Sequence, residues 1–489
     1  MSLDPQASVS ADDVEHGQRS LVHDAAWAAL VGSLFGGVVL AGFAVTLGAS
    51  PMVIGLLAAI PFFGQIAQVP AIALVERLRQ RRRIAVYASA ASRAGILLLA
   101  LLPFLEPATA LALLVLAQLA VTVLGAIGAC AFNSWIHELV PKDRLGALFS
   151  RRLFWSMVSA SLGALFAGQV VQRWRGAVPL EGYAVVFALA GLAGFVSSWY
   201  LARVPEPRMV RTGPPPPVLA MVRAPFRDRN FRRVIAFMAS WNFASNLAAP
   251  FIAVYLMRQL HYGLAVVTAL WVAATVANAL TLYSWGRLSD RLSNKAILAA
   301  ALPFYFASLM ALPFTSIPDE HFLTLPLLFL IHIVMGAASG GVGLATGNIG
   351  LKLAPHGQGT AYLSAATLAG ALAAGTAALA GGGLAEWFRS RDLAIFVHWG
   401  SPSGSALTTV LEFQHWEFVF ALSFLCAGYV LHALSRIEEG PEISERVVVQ
   451  QLVSEARRSL DQISPVEGLR NAILFPLGWL GERRKRPRA

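Results

Sequence analysis

The chain has 489 residues, of which 56% are hydrophobic and only 13% are charged, and its formal net charge is +11. Soluble domains carry about 25% charged residues, so the composition excludes an ordinary soluble protein and indicates a polytopic membrane protein. The positive charge does not predict a nucleic-acid partner, because the lysines and arginines lie in short segments between apolar runs rather than along one basic stripe.

Twelve apolar runs are long enough to cross a bilayer as helices, which takes about 20 residues each. Their predicted bounds are 25–47, 52–75, 84–104, 108–135, 154–172, 183–202, 233–257, 264–285, 296–315, 323–351, 361–387 and 416–434. Lysine and arginine concentrate in the connections after even-numbered spans, so the positive-inside rule predicts that these connections and both termini are cytoplasmic. We therefore expect a multi-pass protein of a plasma membrane, the inner membrane in a bacterium.

An internal repeat relates the two halves of the chain. A single offset of 214 positions carries Trp27 onto Trp241, Glu76 onto Asp290 and Pro141 onto Pro355. It predicts two parallel six-helix halves, an arrangement associated with alternating-access transporters. The offset fails at spans 6 and 12, where Ala202–Glu206 corresponds to Ser435–Glu439. The extra residues of the second half therefore lie in the loop 388–415, where a small hairpin is expected.

The predicted domain organisation follows from these boundaries. It comprises a cytoplasmic N-terminal segment 1–24, a six-helix bundle 25–202, a cytoplasmic linker 203–232, a second bundle 233–434 with the external loop 388–415, and a basic tail 435–489. The four prolines Pro214–Pro217 predict an extended linker. Apolar residues at helical spacing and the basic run Arg483–Arg486 indicate a tail that lies on anionic lipid. The alternative is an ordinary solvated tail.

The best-defined motif is Gly286-x-Leu288-x-Asp290-Arg291-x-x-Asn294-Lys295, a short basic connection between spans 8 and 9. It resembles the loop signature that the major facilitator superfamily carries between helices 2 and 3 and repeats between helices 8 and 9. The first-half copy, Leu74-x-Glu76-Arg77-x-x-x-Arg81-Arg82-Arg83, is degenerate, with Ile72 and Arg79 at the glycine positions. The resemblance covers nearly the whole chain and implies an all-α fold of twelve transmembrane helices in two bundles related by a pseudo-twofold axis.

The resemblance also implies a gate at the cytoplasmic face, since an acidic side chain can cap the N-terminus of a neighbouring helix. Asp290 is expected to face the start of helix 11, and Glu76 to face the start of helix 5. Gly286 is expected to permit close helix approach. The alternative is a loop that only sets topology. The residues assigned to the gate motif are Gly286, Asp290, Arg291, Lys295, Glu76, Arg77, Arg151 and Arg152.

The family fold implies a central cavity lined by helices 1, 4, 7 and 10. The offset of 214 relates Gln118 to His332 as well as Trp27 to Trp241, as expected for a site at the repeat interface. Each candidate also has a structural alternative, since amides in membrane helices bond to neighbouring helices and tryptophan is common at the interface. The candidate cavity residues are Trp27, Gln118, Asn133, Trp241, Asn242, Asn246, His332 and Asn348.

Several ionisable residues have both a functional and a structural interpretation. His332 is the candidate proton site, because an intramembrane ionisable group is a functional candidate by default. The alternative is a neutral histidine bonded to a backbone carbonyl. Arg93 on helix 3 is expected to be structural, and Asp24 is expected to cap the first helix. A solvated loop is expected before helix 12, at Glu412, His415 and Glu417.

These features predict a secondary transporter that moves a small solute by alternating access. No acidic residue lies deep in a cavity helix, so an uncharged, amphipathic or weakly anionic solute is expected. Helix 4 lacks the Arg-to-Gly pattern of many proton-coupled members, and helix 5 lacks the Gly-Pro pair of antiporters. The alternative is a non-transporting membrane sensor or scaffold that acts through its linker and tail. We expect no enzyme activity, cofactor, metal or nucleic-acid partner, and a monomer in the lipid bilayer.

Overall fold

The computed structural model describes residues 3–6, 9–140, 142–174, 180–209, 224–291, 293–316, 321–355, 359–401 and 404–439. The four prolines of the predicted linker and the basic tail beyond Glu439 lie outside the described residues.

The first half forms six spans. Span 1 is divided into α1 (Ala11–Phe35) and α2 (Gly37–Thr46). Span 2 is divided into α3 (Pro51–Phe63) and α4 (Gln68–Leu78), which a 3-10 turn joins. Spans 3 to 6 are α5 (Arg81–Leu98), α6 (Pro107–Leu139), α7 (Lys142–Arg173) and α8 (Glu181–Ala202).

The second half forms six further spans and a β-hairpin. The helices are α9 (Arg229–Arg258), α10 (Leu264–Arg291), α11 (Asn294–Ala311), α12 (Thr324–Leu353), α13 (Gly359–Trp387) and α14 (Glu417–Ser435). The antiparallel hairpin of β1 (Asp392–Ser401) and β2 (Gly404–Gln414) lies between α13 and α14, as the sequence predicts. Eleven spans among the described residues are long and apolar enough to cross a membrane. The twelfth is α9, whose first turn carries arginines.

Two helices begin earlier than the apolar runs predict, because polar residues cap them. The Ser10 hydroxyl accepts a hydrogen bond from the Asp13 N–H at 3.1 Å, so α1 begins at Ala11. Asp24 therefore lies in the middle of α1, and the expectation that it caps the first helix is wrong. Asp228 caps α9 in the same way, so the last residues assigned to the linker are helical.

Two glycines interrupt span 1. Gly36 has an extended backbone, and Gly37 has a φ of +53°, in the left-handed region that glycine adopts without steric cost. A new helix therefore starts at Gly37, and its first N–H groups have no acceptor within that helix. The helical hydrogen bonding of span 1 is therefore interrupted between Phe35 and Gly37.

The two ends of the bundle differ in charge. We name the end that carries Arg81–Arg83, Lys295 and Glu439 the basic face, and the end that carries the β-hairpin and Arg258 the hairpin face. Arg258 closes the hairpin face, because its Nη2 donates to the carbonyl oxygens of Val45 at 3.3 Å and Ala49 at 2.9 Å in the other half.

The two halves also meet toward the hairpin face along two seams of small residues. In the α3–α13 seam, a Cβ added at Gly55 would lie 2.5 Å from the Ala378 carbonyl oxygen, and one added at Gly382 would lie 2.8 Å from that of Pro51. In the α7–α10 seam, a Cβ at Gly168 would lie 2.9 Å from the Ala265 Cα. Glycine therefore lets helices of different halves meet at backbone distance.

Candidate substrate cavity and basic-face locks

A cavity of about 370 Å³ lies between α1, α2 and α7 of the first half and α10 of the second half. Its volume falls within the range of about 300–1,000 Å³ that is typical of small-molecule sites. The walls are mainly apolar, and none of the described lining residues carries a charge. The polar groups are the indole of Trp271 and the hydroxyls of Ser33, Ser156, Ser161, Thr268 and Thr275.

The break in span 1 opens on this cavity. Gly36 and Gly37 line it together with Val38 and Val39, which belong to the first turn of α2. The unbonded N–H groups of a first turn carry partial positive charge, and broken helices at a repeat interface are a common way to expose such groups to a substrate. These residues are not among the predicted cavity residues, although a Gly-Gly pair inside an apolar run signals a break.

Three of the predicted cavity residues do not line this cavity. Trp27 is partly buried and packs against the main apolar core. The ring of Trp241 meets Tyr305 and Phe306 of α11 edge-on, at centroid distances of 4.8 Å and 5.7 Å. Asn133 is exposed. The rotation of each helix, which the spacing did not reveal, turns these side chains away.

The two asparagines of α9 are bonded within their own helix. Asn242 Nδ2 donates to the Met238 carbonyl at 2.8 Å, and Asn246 Nδ2 donates to the Asn242 carbonyl at 2.9 Å. A Cβ added at Gly370 would lie 2.9 Å from Asn242 Nδ2, so Asn242 lies against α13. Neither asparagine belongs to the lining of the cavity.

His332 is fully buried and lies between two helices of the second half. Its Nδ1 is 2.8 Å from the Leu328 carbonyl oxygen, and its Nε2 is buried without a hydrogen-bond partner. Gly336, one turn further along the same face of α12, packs against the backbone of Ala274 in α10. His332 therefore faces α10 rather than the cavity.

Gln118 has the equivalent position in the first half. It is buried, and its Oε1 has no hydrogen-bond partner. Thr122, one turn further along α6, contacts Gly64 of span 2. The residues one turn beyond Gln118 and His332 thus pack against span 2 and span 8 of their own halves.

Asn348 belongs to a hydrogen-bonded network on the basic face and not to the cavity. Its Nδ2 donates to Ser289 Oγ at 3.2 Å, and Ser289 Oγ donates to Asn294 Oδ1 at 2.8 Å. Asn294 Nδ2 donates to Glu439 Oε1 at 2.7 Å. This network joins α10, α11, α12 and the segment after α14.

Glu439 is the centre of a cluster that we name the α11 lock. Its carboxylate accepts hydrogen bonds from the backbone N–H groups of Asn294 at 3.1 Å and Lys295 at 2.6 Å, and thereby caps α11. Lys295 Nζ donates to the Ser435 and Ile437 carbonyls. Lys352 Nζ lies 3.2 Å from Glu439 Oε1.

Glu206 is the centre of the corresponding α5 lock in the first half. Its carboxylate accepts hydrogen bonds from the N–H groups of Arg81 at 2.8 Å and Arg82 at 3.1 Å. The Arg81 guanidinium lies 3.2 Å from Glu206 and 2.8 Å from Glu138, while that of Arg82 donates to the Ala202 carbonyl. Neither acid is among the predicted site residues, although the repeat aligns Ala202–Glu206 with Ser435–Glu439.

The structure describes the side chains of only part of the predicted gate motif. Glu76, Arg77 and Arg151 are exposed on the basic face. The Arg152 guanidinium lies 4.7 Å above the Phe132 ring of α6, so it faces α6. A Cβ added at Gly286 would meet nothing within 4 Å, so the expectation that this glycine permits close helix approach is wrong. The contacts expected of Asp290 and Arg291 lie outside the described side chains.

The first half also buries charged groups from three spans. Asp24 of α1 is buried and accepts a hydrogen bond from Ser197 Oγ of α8 at 2.7 Å. The charges of Arg152 and Arg93 attract its carboxylate. The stem of Arg93 packs against Gly194 of α8. Asp24 and Arg93 therefore connect helices within the first half, which agrees with a structural role for Arg93.

Two membrane bundles of six helices, with a cavity and a broken helix where they meet, define a transporter fold. The sequence profile of the Major Facilitator Superfamily matches residues 25–378, and the chain belongs to this family. It is a multi-pass integral membrane protein of the transporter class.

The fold is similar to those of several solved transporters. The nucleoside transporter NupG, in a mutant form, has a TM-score of 0.63 at 12% identity, with 86% of this chain and 99% of that chain covered. A bacterial homologue of the human lysosomal transporter Spinster has a TM-score of 0.63 at 14% identity, covering 88% and 98%. A D-xylose–proton symporter has a TM-score of 0.61 at 16% identity, with 89% of this chain and 98% of that chain covered. These identities establish the fold alone. None of the curated proteins compared with the sequence matches it.

Proposed function

We propose that the protein is a secondary transporter that moves a small solute by alternating access through the cavity between α1, α2, α7 and α10. The observation that carries this proposal is the position of the cavity, which both halves line. Thr268 lies in the α7–α10 seam and also lines the cavity. The contact between halves at the hairpin face and the wall of the cavity therefore have this residue in common. A rocking of one half against the other would therefore change access to the site.

The lining supports an uncharged, amphipathic or weakly anionic solute. Hydroxyls and an indole can bind hydroxyl-bearing or aromatic groups, while the described lining offers no carboxylate for a strongly cationic solute. The first N–H groups of α2 would favour a partial negative charge on the solute. Nucleosides and D-xylose, which the names of two transporters of similar fold mention, are therefore suitable first candidates.

The locks support a mechanism in which each half moves as a rigid body. The α5 lock joins α5, α6 and the segment after α8, and the α11 lock joins α11, α12 and the segment after α14. Both clusters bond helices of one half only, so they can remain intact while the contact between halves changes. The gate pairs of Asp290 and Glu76 are proposed to form between elements that move.

The topology, partners and proton site are parts of the same proposal. We place the basic face and both termini in the cytoplasm of a plasma (bacterial inner) membrane, because the locks and the arginines of α9 gather on that face. The protein acts as a monomer in the bilayer, with its basic tail on anionic lipid. His332 is the proposed proton site, since its Nε2 is buried and unpartnered.

A solute screen tests the proposal. The purified full-length protein is heated with nucleosides, pentoses and other neutral or weakly anionic solutes, because a ligand that binds the folded state raises its stability. Each hit is then tested for uptake into proteoliposomes. Trp271→Ala should lower the apparent affinity by about 10-fold or more, the effect of losing roughly 1.4 kcal/mol of binding energy.

The matched control is Leu280→Ala, which removes a side chain that is 70% exposed on the same helix. We expect it to leave binding and uptake unchanged. A solute that binds but is never moved across the membrane would favour the sensor or scaffold function instead. Equal effects of the two variants would contradict the assignment of the cavity.

A further inference from the structure

A second cavity, of about 430 Å³, opens on the hairpin face, away from the proposed solute site. It lies between the end of α9, the segment that joins α13 to β1 and the segment that joins β2 to α14. Its described lining includes three arginines, Arg258, Arg389 and Arg391, and one acid, Asp392. Three guanidinium groups around one space repel one another unless an anion lies between them.

Among the described residues, only one of these arginines, Arg389, forms an ion pair with an acid. Arg389 Nη1 is 3.4 Å from Glu386 Oε1, and the two side chains are 63% and 41% exposed, so solvent weakens the attraction at this distance. Arg391 stacks 4.0 Å above the Trp387 ring and donates to the Trp387 carbonyl, which is a neutral partner. The stacking fixes the guanidinium plane and leaves other N–H groups for a ligand.

His415 also lines this cavity and carries a buried polar atom. Its Nε2 is buried without a hydrogen-bond partner, and its ring is stacked on Trp416 at 4.0 Å. Its backbone φ of +44° is unusual for a residue with a side chain and implies that the surrounding structure imposes it. Glu417 next to it is bonded to Gln259 and to the Gln414 N–H, so the expected solvated loop is in fact an ordered wall.

The cavity is connected to the contact between the two halves. The Arg258 guanidinium that lines it also donates to the Val45 and Ala49 carbonyls of the first half. An anion bound to the remaining N–H groups of Arg258 would hold this side chain in its bridging position. Occupancy of the cavity and closure of the hairpin face would then favour each other.

We propose that this cavity binds a small anion with a carboxylate, sulfate or phosphate group, through Arg389, Arg391, Arg258 and His415 Nε2, and that the bound anion stabilises the closed hairpin face. The planar forks of arginine suit such groups because they can donate two parallel hydrogen bonds. The anion is either a free solute or the phosphate of a lipid headgroup. The site is separate from the proposed solute cavity and does not depend on transport.

Sulfate is the probe for a binding test, because it does not titrate between pH 5 and 8. The full-length protein in phosphatidylcholine nanodiscs is heated at increasing sulfate concentration, with sodium chloride holding the ionic strength constant. We expect the unfolding temperature to rise with a saturable dependence. The double variant Arg389→Gln/Arg391→Gln should weaken the apparent affinity by at least 10-fold.

Arg173→Gln is the matched control, since Arg173 is an exposed arginine at the same end of the bundle that does not line the cavity. A sulfate effect that is equal in wild type, control and double variant would overturn the free-anion site. A second arm replaces part of the lipid by phosphatidylglycerol without sulfate. The phosphate of phosphatidylcholine is neutralised by its own choline cation, so stabilisation of wild type and control, but not of the double variant, would identify the phosphate of an anionic lipid as the anion. Failure of both arms overturns the proposal.

The pH dependence tests the role of His415. Burial and the charges of Arg389 and Arg258 lower the pKa of His415 to about 4, while Glu386 acts in the opposite direction. An anion that screens the two arginines would raise this pKa, so binding would take up a proton. Sulfate affinity should therefore increase several-fold from pH 7 to pH 5 in wild type and stay flat in His415→Gln. A flat wild-type profile contradicts the assignment of His415.

The link to closure needs a distance measurement. Spin labels at Arg173 and Phe322, exposed residues of different halves on the hairpin face, report its opening in a variant without the two native cysteines. Sulfate should increase the population with the shorter distance, and Arg389→Gln/Arg391→Gln should abolish this increase. An unchanged distance distribution at saturating sulfate would overturn the stabilising role.

Discussion

The α5 lock and the α11 lock have the same geometry and different charges. In each, one carboxylate caps two adjacent backbone N–H groups, those of Arg81 and Arg82 for Glu206 and those of Asn294 and Lys295 for Glu439. Asn294 thus takes the capping position of Arg81, although the 214 offset would carry Arg81 onto the next residue, Lys295. The capping geometry is common to both halves because a helix N-terminus requires a partner, whereas the surrounding charges have diverged.

The divergence is compensated one helix away. Arg81 bonds a second acid, Glu138, and the 214 offset carries Glu138 onto Lys352. Where the neutral Asn294 replaces Arg81, the cation beside Glu439 is supplied by Lys352 instead. The span 4 residue is thus an acid beside Arg81, whereas the span 10 residue is a cation beside Glu439.

The two locks also differ in burial, which predicts different strengths. The Arg81 and Glu206 side chains are both 0% exposed, whereas Lys352 is 54% exposed and Glu439 only 2%. Removing one partner of a buried ion pair costs about 3–5 kcal/mol because an uncompensated charge remains. Pairs with an exposed partner contribute about 0–1 kcal/mol.

The largest expected effect is that of Glu206→Gln. It should destabilise the folded protein by about 3–5 kcal/mol, since Arg81 loses its buried countercharge and keeps only Glu138, whose side chain is 42% exposed. The measurement is reversible unfolding in detergent, with Glu438→Gln as a control because that acid is 77% exposed. Glu439→Gln should have a smaller effect than Glu206→Gln, and equal losses would contradict the comparison of the two locks.

A charge exchange in the α11 lock should sharpen the comparison. Asn294→Arg and Lys352→Glu together reproduce the residues of the α5 lock. Each single substitution should be destabilising, and the double variant should recover about 0.5–3 kcal/mol as coupling energy. Additive losses in a double-mutant cycle would show that the halves do not share this arrangement.

The seam between halves gives an intermediate effect. Gly382→Ala places a Cβ 2.8 Å from the Pro51 carbonyl oxygen, whereas the adjacent Gly383→Ala meets nothing within 4 Å. Overpacking of this kind costs about 1–3 kcal/mol, and it should act on the closed hairpin face. Labels across that face should report opening in the first variant only. Equal distances in both variants would exclude the α3–α13 seam as the closing contact.

His332→Gln makes the second half identical to the first at the offset-related position of Gln118. If His332 is the proton site, the variant should lose the pH dependence of uptake while it retains folding. Uptake of a hit solute is measured at a series of pH values in proteoliposomes. A pH profile that matches wild type would leave His332 as a packing residue between α10 and α12.

The smallest effect concerns the pH dependence of the α11 lock. Burial raises the pKa of Glu439, but hydrogen bonds from Lys295, Asn294 and Lys352 outweigh it and hold the pKa below its ordinary value of 4.5. A carboxylate whose pKa is lower in the folded state stabilises the protein at pH values above its unfolded-state pKa. This stabilisation is lost as the pH falls through the folded-state pKa. The difference in stability between wild type and Glu439→Gln should therefore be constant near neutrality and decrease below pH 4.5. A difference that persists in acid would contradict this.

The sequence by itself determined the twelve spans, the two halves, the hairpin at 388–415 and the basic face. Span length and charge sorting are set by the bilayer, so they can be read without knowledge of neighbouring helices. The repeat offset also predicts that Gln118 and His332 are equivalent, and the residues one turn beyond each pack against span 2 and span 8.

Only the tertiary structure decided what each polar side chain contacts. Successive residues of a helix point about 100° apart, so an uncertainty of one residue in helix rotation moves Asn348 or Trp241 from a cavity to a packed interface. The partners of the locks are also distant in sequence, since Arg81 and Glu206 are 125 positions apart. Hydropathy encodes where a helix crosses the membrane, while the packing of neighbouring helices determines which of its faces forms a lock, a seam or a site.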